Sequence, residues 1–466
     1  MRYEDFLDAK RQLGGEHGFE PLWMPTFLFD FQQHLVDWAL RKGRSAIFAD
    51  CGLGKTPMQL VWAQNVVQKT NKPVLILTPL AVSHQTVAEA HKFGMEAARS
   101  ADGSHSGAGI VVTNYERLHH FRADDFAGVV CDESSILKNF DGATRQAVTD
   151  FMRKRPYRLL CTATAAPNDY IELGTSSEAL GQLPYLDMLK TFFKSADGSY
   201  AHGGSGGGTA ARWSKDRFGG KFRFRGHAER DFWRWVCSWA KAVRKPSDLG
   251  FADAQFQLPE LKCREHVVQA RSKNPEFLFD LPAFTLAEQR DERKRTVQER
   301  CELAAQLAGS HRCSVAWCHL NIEGDTLTRL IDGAVQVSGD DSDDRKEEVF
   351  RAFESGQIKT LVTKPTIAGF GLNWQHCAHQ TFFPSHSFEQ WYQAVRRCWR
   401  FGQSKAVTVD VISSEGESGV LRNLQRKAEA ADQMFARLVE LMGDALSVRQ
   451  TSIQHNNLVE IPTWLT

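Results

Sequence analysis

Short apolar runs without polar alternation recur early in the chain, at residues 46–49, 74–77, 110–112, 129–131 and 159–161, each bounded by turn-forming or polar residues. Such runs suit strands covered on both faces, as in a parallel sheet. Between them, residues 58–67 and 81–93 carry apolar side chains at helical spacing, so the pattern predicts strands joined by crossover helices. A second series follows a charged helical stretch at 288–307, with strands predicted at 313–318, 335–338, 359–363, 380–383 and 407–412. The expectation is an α/β chain of two lobes, 1–185 and 266–446, each a mainly parallel sheet flanked by helices.

Between the lobes the pattern breaks. Residues 202–208 read His-Gly-Gly-Ser-Gly-Gly-Gly, a flexible loop, and an arginine- and tryptophan-rich stretch follows as far as Lys245. Residues 186–265 are therefore expected to form a basic, aromatic-rich insertion or interlobe element. Phe232, Trp235 and Trp239 share one helical face and are expected in a core, not on a base-stacking surface. A helix at 415–441 is expected to close the second lobe, and 447–466 to form a polar tail.

Length agrees with two cores, since 466 residues exceed the about 250 to 300 at which a single core stops growing. The formal charge is only +1, so a nucleic-acid surface has to come from local clustering. Arg212, Lys215, Arg217, Lys221, Arg223, Arg225, Arg230 and Arg234 form such a cluster, and Lys221, Arg223 and Arg225 alternate with Phe222 and Phe224. A surface that tracks phosphates is the functional expectation there. The ten cysteines show no paired framework, and Cys131 and Cys161 end apolar runs, which suits free thiols in a reducing compartment. The first residues lack an apolar signal segment, and no run approaches the roughly 20 apolar residues of a membrane span, so a cytoplasmic protein without a membrane partner is expected. His311, Cys313, Cys318 and His319 have the composition of metal ligands. Cys313 and Cys318 would point to opposite faces of a strand, however, so buried thiols are expected instead.

The chemistry starts at Ala49-Asp50-Cys51-Gly52-Leu53-Gly54-Lys55-Thr56, which follows an apolar strand and opens a helix. Gly52 and Gly54 allow a turn tight enough to aim N–H groups at phosphate oxygens, and the helix adds its positive end. Lys55 is expected to neutralise the β- and γ-phosphates of ATP, and the Thr56 hydroxyl to ligate Mg2+. Ala49 stands where the usual pattern has its first glycine. Asp132 and Glu133 follow another apolar strand, at the carboxyl edge where parallel sheets bind ligands. Adjacent acids there can also be a simple helix N-terminal charge pair. With the phosphate loop upstream, Asp132 is expected to hold Mg2+ and Glu133 to orient or deprotonate the attacking water. In the second lobe Gln393, Arg397 and Arg400 lie on one helical face at offsets of four and seven. A solvated charged patch is the bland alternative; an interlobe cleft gives the arginines a γ-phosphate to stabilise.

Taken in order, these residues resemble superfamily 2 helicases, and within them Snf-type double-stranded DNA translocases, from about Phe27 to about Ile412. Phe31-Gln32 resembles the family's adenine-reading pair, 50–56 its motif I, and Asp132-Glu133-Ser134-Ser135 with Leu137-Lys138-Asn139 its acidic box. Thr162-Ala163-Thr164, Pro167-Asn168 and Glu172-Leu173 resemble motif III. In the second half, Ser338-Gly339-Asp340 with Arg345 and Phe353 resembles the family's glycine turn and following helix. Gly369-Phe370-Gly371-Leu372-Asn373 is similar to motif V, and 393–403 to motif VI. The resemblance implies two tandem RecA-like P-loop lobes. It also implies nucleotide contacts at Phe31, Gln32, Asp50, Cys51, Gly52, Leu53, Gly54, Lys55, Thr56 and Gly371, with Lys55, Asp132, Glu133, Arg397 and Arg400 catalytic. Thr78, Pro79, Asn114 and Tyr115 would meet a sugar-phosphate backbone, contacts that position without reading sequence. The implied activity is ATP-driven movement on DNA, duplex and sequence-independent, by a compact phage or bacterial motor with partners in replication, recombination or phage growth. An RNA helicase or an ATP-gated scaffold shares the same ATP motifs. Ser134-Ser135 replace the family's Ala-His, so coupling from the acidic box to motif III has to use another contact, and Pro365 stands where motif V has threonine.

Overall fold

The computed structural model describes residues 17–455 apart from 105–106, 108, 139–141, 167–168, 196–221, 270–285 and 370. Its first sheet is built from β1 Arg44–Ala49, β2 Val74–Thr78, β3 Ala97–Arg99, β4 Ile110–Asn114, β5 Gly128–Asp132 and β6 Tyr157–Cys161. A small antiparallel pair follows, β7 Phe193–Ser195 with β8 Phe222–Phe224, and then β9 Ala240–Val243 rejoins the sheet. All neighbours in the order β3-β4-β2-β5-β6-β1-β9 are parallel. Successive residues of one strand enter different cores. Ile47, Ile76 and Val130 pack beneath Leu60 and Val61, whereas Phe48, Leu77 and Val129 face Val148 and Trp239. That two-sided burial is why the sequence shows unbroken apolar runs.

The second sheet consists of β10 Leu261–Val268, β11 Ser314–Trp317, β12 Ala334–Val337, β13 Thr360–Thr363, β14 His379–Phe382 and β15 Val407–Ser414. These run parallel in the order β10-β15-β14-β11-β13-β12, again between two cores. Cys313 packs against one core and Cys318 belongs to the other, as strand alternation requires. Among the described residues no helix is long and apolar enough to cross a membrane.

The structure departs from three expectations. Among its described residues, the 186–265 stretch is not wholly apart from the first lobe: the helix Ala228–Trp239 buries Phe232, Trp235 and Trp239 in that lobe, and β9 pairs with β1. The sequence hides this because β9 is only four residues long, Ala-Lys-Ala-Val, and contains a lysine. The stretch at 288–307 is two helices, Leu286–Arg295 and Val297–Gly309, separated at Thr296. The buried Thr296 hydroxyl bonds back to Glu292 O at 2.9 Å and accepts from Arg300 Nε at 3.0 Å, which competes with continuous helix. Finally, the terminal helix Ser418–His455 outruns the expected 415–441, takes in part of the supposed tail, and crosses back to the first lobe. Met434, Phe435, Leu438 and Met442 join Trp235 and Trp239 in that core. Arg244 Nη2 meets Asp432 Oδ1 at 2.7 Å and its guanidinium lies 4.7 Å from the Phe435 ring centroid. The helix therefore straps the second lobe to the first.

Leu438→Ala removes a fully buried side chain from this strap and is expected to cost about 2–5 kcal/mol. Thermal unfolding followed by tryptophan fluorescence should show a clearly lowered midpoint, and an unchanged midpoint would mean that the strap does not hold the lobe.

Candidate active site between the lobes

The loop after β1 turns through Gly52 (φ 89°) and Gly54 (φ 74°), both in the left-handed region that side chains resist. Gly54 is also a close approach: a Cβ there would lie 2.3 Å from Gln32 Nε2. Gln32 is buried and donates from that nitrogen to Leu53 O at 2.8 Å, while its Oε1 accepts from Phe29 N at 3.0 Å. It braces the loop from behind. The helix Lys55–Thr70 starts directly at Gly54, so its unpaired N–H groups and positive end face the loop. Lys55 Nζ donates to Ala49 O at 3.1 Å. Burial opposes the charge on Lys55, but Glu133, Asp132 and Asp50 more than offset it and hold its ammonium above the usual lysine range.

Two strands away, β5 delivers Asp132 and Glu133 to the same edge. Gln59, from the phosphate-loop helix, donates to Asp132 Oδ1 at 2.7 Å, and the Tyr115 hydroxyl donates to Asp132 O. Burial and then the neighbouring Glu133 push the Asp132 carboxyl up to about 6. Glu133 adopts φ 51°, uncommon for a residue with a side chain, and its carboxylate accepts from Thr162 Oγ1 at 3.3 Å. Thr162 is thus the link from the acidic pair to the Thr162–Thr164 turn that Ser134-Ser135 do not provide. The Thr56 hydroxyl and the Asp132 carboxylate offer hard oxygen donors, the set that suits Mg2+.

The second lobe contributes the helix Phe388–Cys398, capped by Ser387, whose hydroxyl accepts from Gln390 N. Gln393 Nε2 reaches Glu133 Oε2 at 3.5 Å, and its Oε1 takes Arg397 Nη2 at 2.9 Å. Arg397 Nη1 and Arg400 Nη1 both donate to Leu372 O, at 3.0 and 3.1 Å. Arg397 Nη2 lies 3.9 Å from Cys51 Sγ, so the helix rests on the phosphate loop itself. Phe401 seals the contact over Gly52, and Val82 closes over Gly371. A further interlobe ion pair joins Lys138 to Glu389. Burial, then the adjacent Arg397 and Arg396 guanidiniums, push Arg400 down to about 10. Arg400 Nε is buried without a hydrogen-bond partner, a donor that an anion entering the seam would satisfy.

The structure thus brings Lys55, Asp132, Glu133, Arg397 and Arg400 to one seam, with Asp50, Cys51, Gly52, Leu53, Gly54, Thr56 and Gly371 around it. Other expected residues are placed differently. Phe31 is buried against Phe256 and is a core ring; the neighbouring ring with open surface is Phe29, 45% exposed. Thr78 is fully buried, Asn114 caps its own turn by accepting from Arg117 N, and Tyr115 points inward to Asp132. Of the four expected backbone contacts, Pro79 stands at the cleft with accessible surface. Arg223 is exposed on β8, Arg225 Nε donates to Phe193 O at 2.6 Å and so braces the β7–β8 pair, and Lys221 lies outside the described residues. Sequence reasoning missed Gln59, Tyr392 and Arg396. Arg396 was legible in principle, because it is three residues from Gln393 and an i,i+3 neighbour shares a helix side as well as an i,i+4 one.

No model of a known protein family matches the chain, and no curated protein is similar to it. Among solved structures it is similar to the SWI2/SNF2 ATPase core of Sulfolobus solfataricus in complex with dsDNA, at 15% identity over 85% of this chain and 90% of that one, with a TM-score of 0.41. It is also similar to Dbp5 of S. cerevisiae bound to RNA and ADP BeF3, at 12% identity over 88% of this chain and 93% of that one, with a TM-score of 0.52. The second likeness establishes the fold: two tandem RecA-like lobes, each a mainly parallel sheet flanked by helices.

Gly54→Ala is expected to displace Gln32, distort the loop and weaken ATP binding at least tenfold, while leaving secondary structure intact by circular dichroism. Fluorescent-nucleotide titration checks this, and unaltered affinity would contradict the assignment of the loop.

Proposed function

We propose that this chain is an ATP-driven nucleic-acid motor, a Snf-type translocase of the superfamily 2 helicases that moves along duplex DNA in the cytoplasm without reading sequence. The observation that carries the proposal is that the second-lobe segment bearing Gln393, Arg397 and Arg400 rests on the first lobe's loop and acidic pair, Arg397 Nη2 lying 3.9 Å from Cys51 Sγ and Gln393 Nε2 3.5 Å from Glu133 Oε2.

In this reading the loop N–H groups and Lys55 hold the β- and γ-phosphates. Thr56 and Asp132 would hold magnesium, which would supply neutralisation of the phosphate charge. Glu133, fixed by Thr162 and Gln393, orients the attacking water and accepts its proton. Arg397 and Arg400 stabilise the charge that develops on the transferred phosphoryl group, an effect worth about a thousandfold or more in rate. Because a different lobe supplies them, hydrolysis depends on closure, and closure against opening is the stroke.

For the polymer, the interlobe cavity of about 1250 Å3 presents Arg99 and Arg117 from the first lobe and Lys346 and Arg351 from the second. Carboxylates line the cavity too, and Glu347 and Asp343 already pair with Arg351 and Lys346, so Arg99 and Arg117 are the cations there that suit a phosphate backbone. The exposed Arg223 on β8 adds to that surface.

Lys55→Ala is expected to abolish ATP turnover, and Arg400→Ala to keep ATP binding but lose hydrolysis by roughly a thousandfold; normal turnover in either variant would end the site assignment. Wild-type ATPase is expected to be stimulated most by duplex DNA, with stimulation falling steeply between two salt concentrations. Stimulation by RNA alone would make the protein an RNA helicase. DNA-stimulated hydrolysis without triplex displacement would make it a gated scaffold.

A further inference from the structure

Of Arg396, Arg397 and Arg400, Arg396 is the guanidinium whose charge is paired with a carboxylate across the seam. It is buried, its charge paired with Asp50 at the end of β1, and Nη2 donates to Cys51 O at 3.3 Å. The Tyr392 hydroxyl, one turn earlier on the same helix, donates to the other Asp50 oxygen. That same oxygen accepts from Cys51 N at 2.6 Å, so the carboxylate is pinned within the phosphate loop as well as across the cleft. Aromatic rings complete the enclosure: the Arg396 guanidinium lies 5.6 Å from the Tyr392 centroid, 4.8 Å from Trp399 and 5.7 Å from Phe401. Burial works against the Arg396 charge, and Asp50 with Tyr392 more than offset it.

With both carboxylate oxygens engaged by residues of its own loop and of the second lobe, Asp50 has little left to offer a nucleotide, which is itself anionic and would be repelled. We propose that Asp50, Arg396 and Tyr392 form an interlobe clasp that positions the arginine helix on the phosphate loop, Asp50 being the first-lobe anchor of that contact and not a nucleotide ligand. This rests on the ATPase reading above for its kinetic consequence, though not for its existence. Arg396 is a positioning residue: it sits one residue from Arg397 and four from Arg400, so a clasp on Arg396 fixes where those two guanidiniums stand relative to Lys55. The Arg396 side chain is 1% and the Asp50 side chain 11% exposed, and at that burial their attraction is stronger than an exposed pair's and its loss more disruptive.

The test uses the full chain and the variants Arg396→Met, Arg396→Lys, Asp50→Asn, Tyr392→Phe and the double Asp50→Asn/Arg396→Met. Arg396→Met and Asp50→Asn are each expected to lower kcat at least tenfold with KM for ATP within about twofold of wild type. Arg396→Lys should recover part of that loss, Tyr392→Phe should show a smaller one, and the double variant should be no slower than the worse single. Small-angle X-ray scattering without added nucleotide should show a larger radius of gyration for Arg396→Met and Asp50→Asn than for wild type. Multiplying effects in the double variant, or a tenfold rise in KM for Asp50→Asn with unchanged scattering, would overturn the clasp, the latter by making Asp50 a nucleotide ligand. If a variant fails to fold, Tyr392→Phe and Arg396→Lys still carry the comparison. Should wild type show no ATPase, the functional reading fails, and scattering alone decides the clasp: unchanged dimensions in both charge-removing variants would reject it.

Discussion

Three guanidinium groups are folded into one largely buried seam, and the molecule is organised around the requirement to compensate them. A buried cation left alone costs several kcal/mol, and pairing it repays the cost only when geometry and remaining hydrogen bonds are good. Arg397 and Arg400 draw on Leu372 O and Gln393, which are neutral partners from their own lobe. The carboxylates that answer the positive charge stand across the cleft, Asp50 paired with Arg396 and Glu89 acting on Arg400. The two lobes are therefore not merely adjacent: each carries what the other lacks.

The fold makes that complementarity possible by presenting both halves from the carboxyl edges of parallel sheets. Loops after β1 and β5 deliver the phosphate loop and the acidic pair side by side, although their residues are far apart in the chain. Glycines at 52 and 54 bring the backbone close enough for Phe401 and Gln32 to pack directly against it. A second connection limits how the lobes rearrange. The terminal helix leaves the second lobe and buries Met434, Phe435 and Leu438 in the first, so the chain is joined between sheets by its linker and again by this strap. Opening of the seam then has to bend or slide a helix, which constrains the direction as well as the extent of any movement between the lobes.

Much of the fold was legible because its strands are covered on both faces. Residues such as Ile47 and Phe48 both need to be apolar when they enter different cores, and that leaves an unmistakable run. The strands that escaped notice sit at sheet edges, where this requirement lapses. β10 exposes Lys262, Arg264 and Glu265, and β9 is short and carries Lys241. The terminal helix was recognisable as a helix, but its apolar side gives no indication of which lobe it covers. Phe31 and Phe29 illustrate the same limit at the site: two phenylalanines two positions apart, both edge-on to Phe256, yet one buried in the core and the other at the surface.

The amino-acid sequence by itself determined the two α/β lobes, the phosphate loop and acidic pair at strand ends, and the arginines on one helical side. These depend on local periodicity, glycine freedom and residue chemistry, which neighbours in the chain express. Only the tertiary structure decided that Arg396 rather than Arg397 meets a carboxylate, that Thr162 and Gln393 hold Glu133, that Tyr115 turns inward, and that the last helix belongs to the first core. Each of these is a contact between segments far apart in sequence, and a side chain's partner across a cleft is set by where two sheets are packed, which no local pattern encodes.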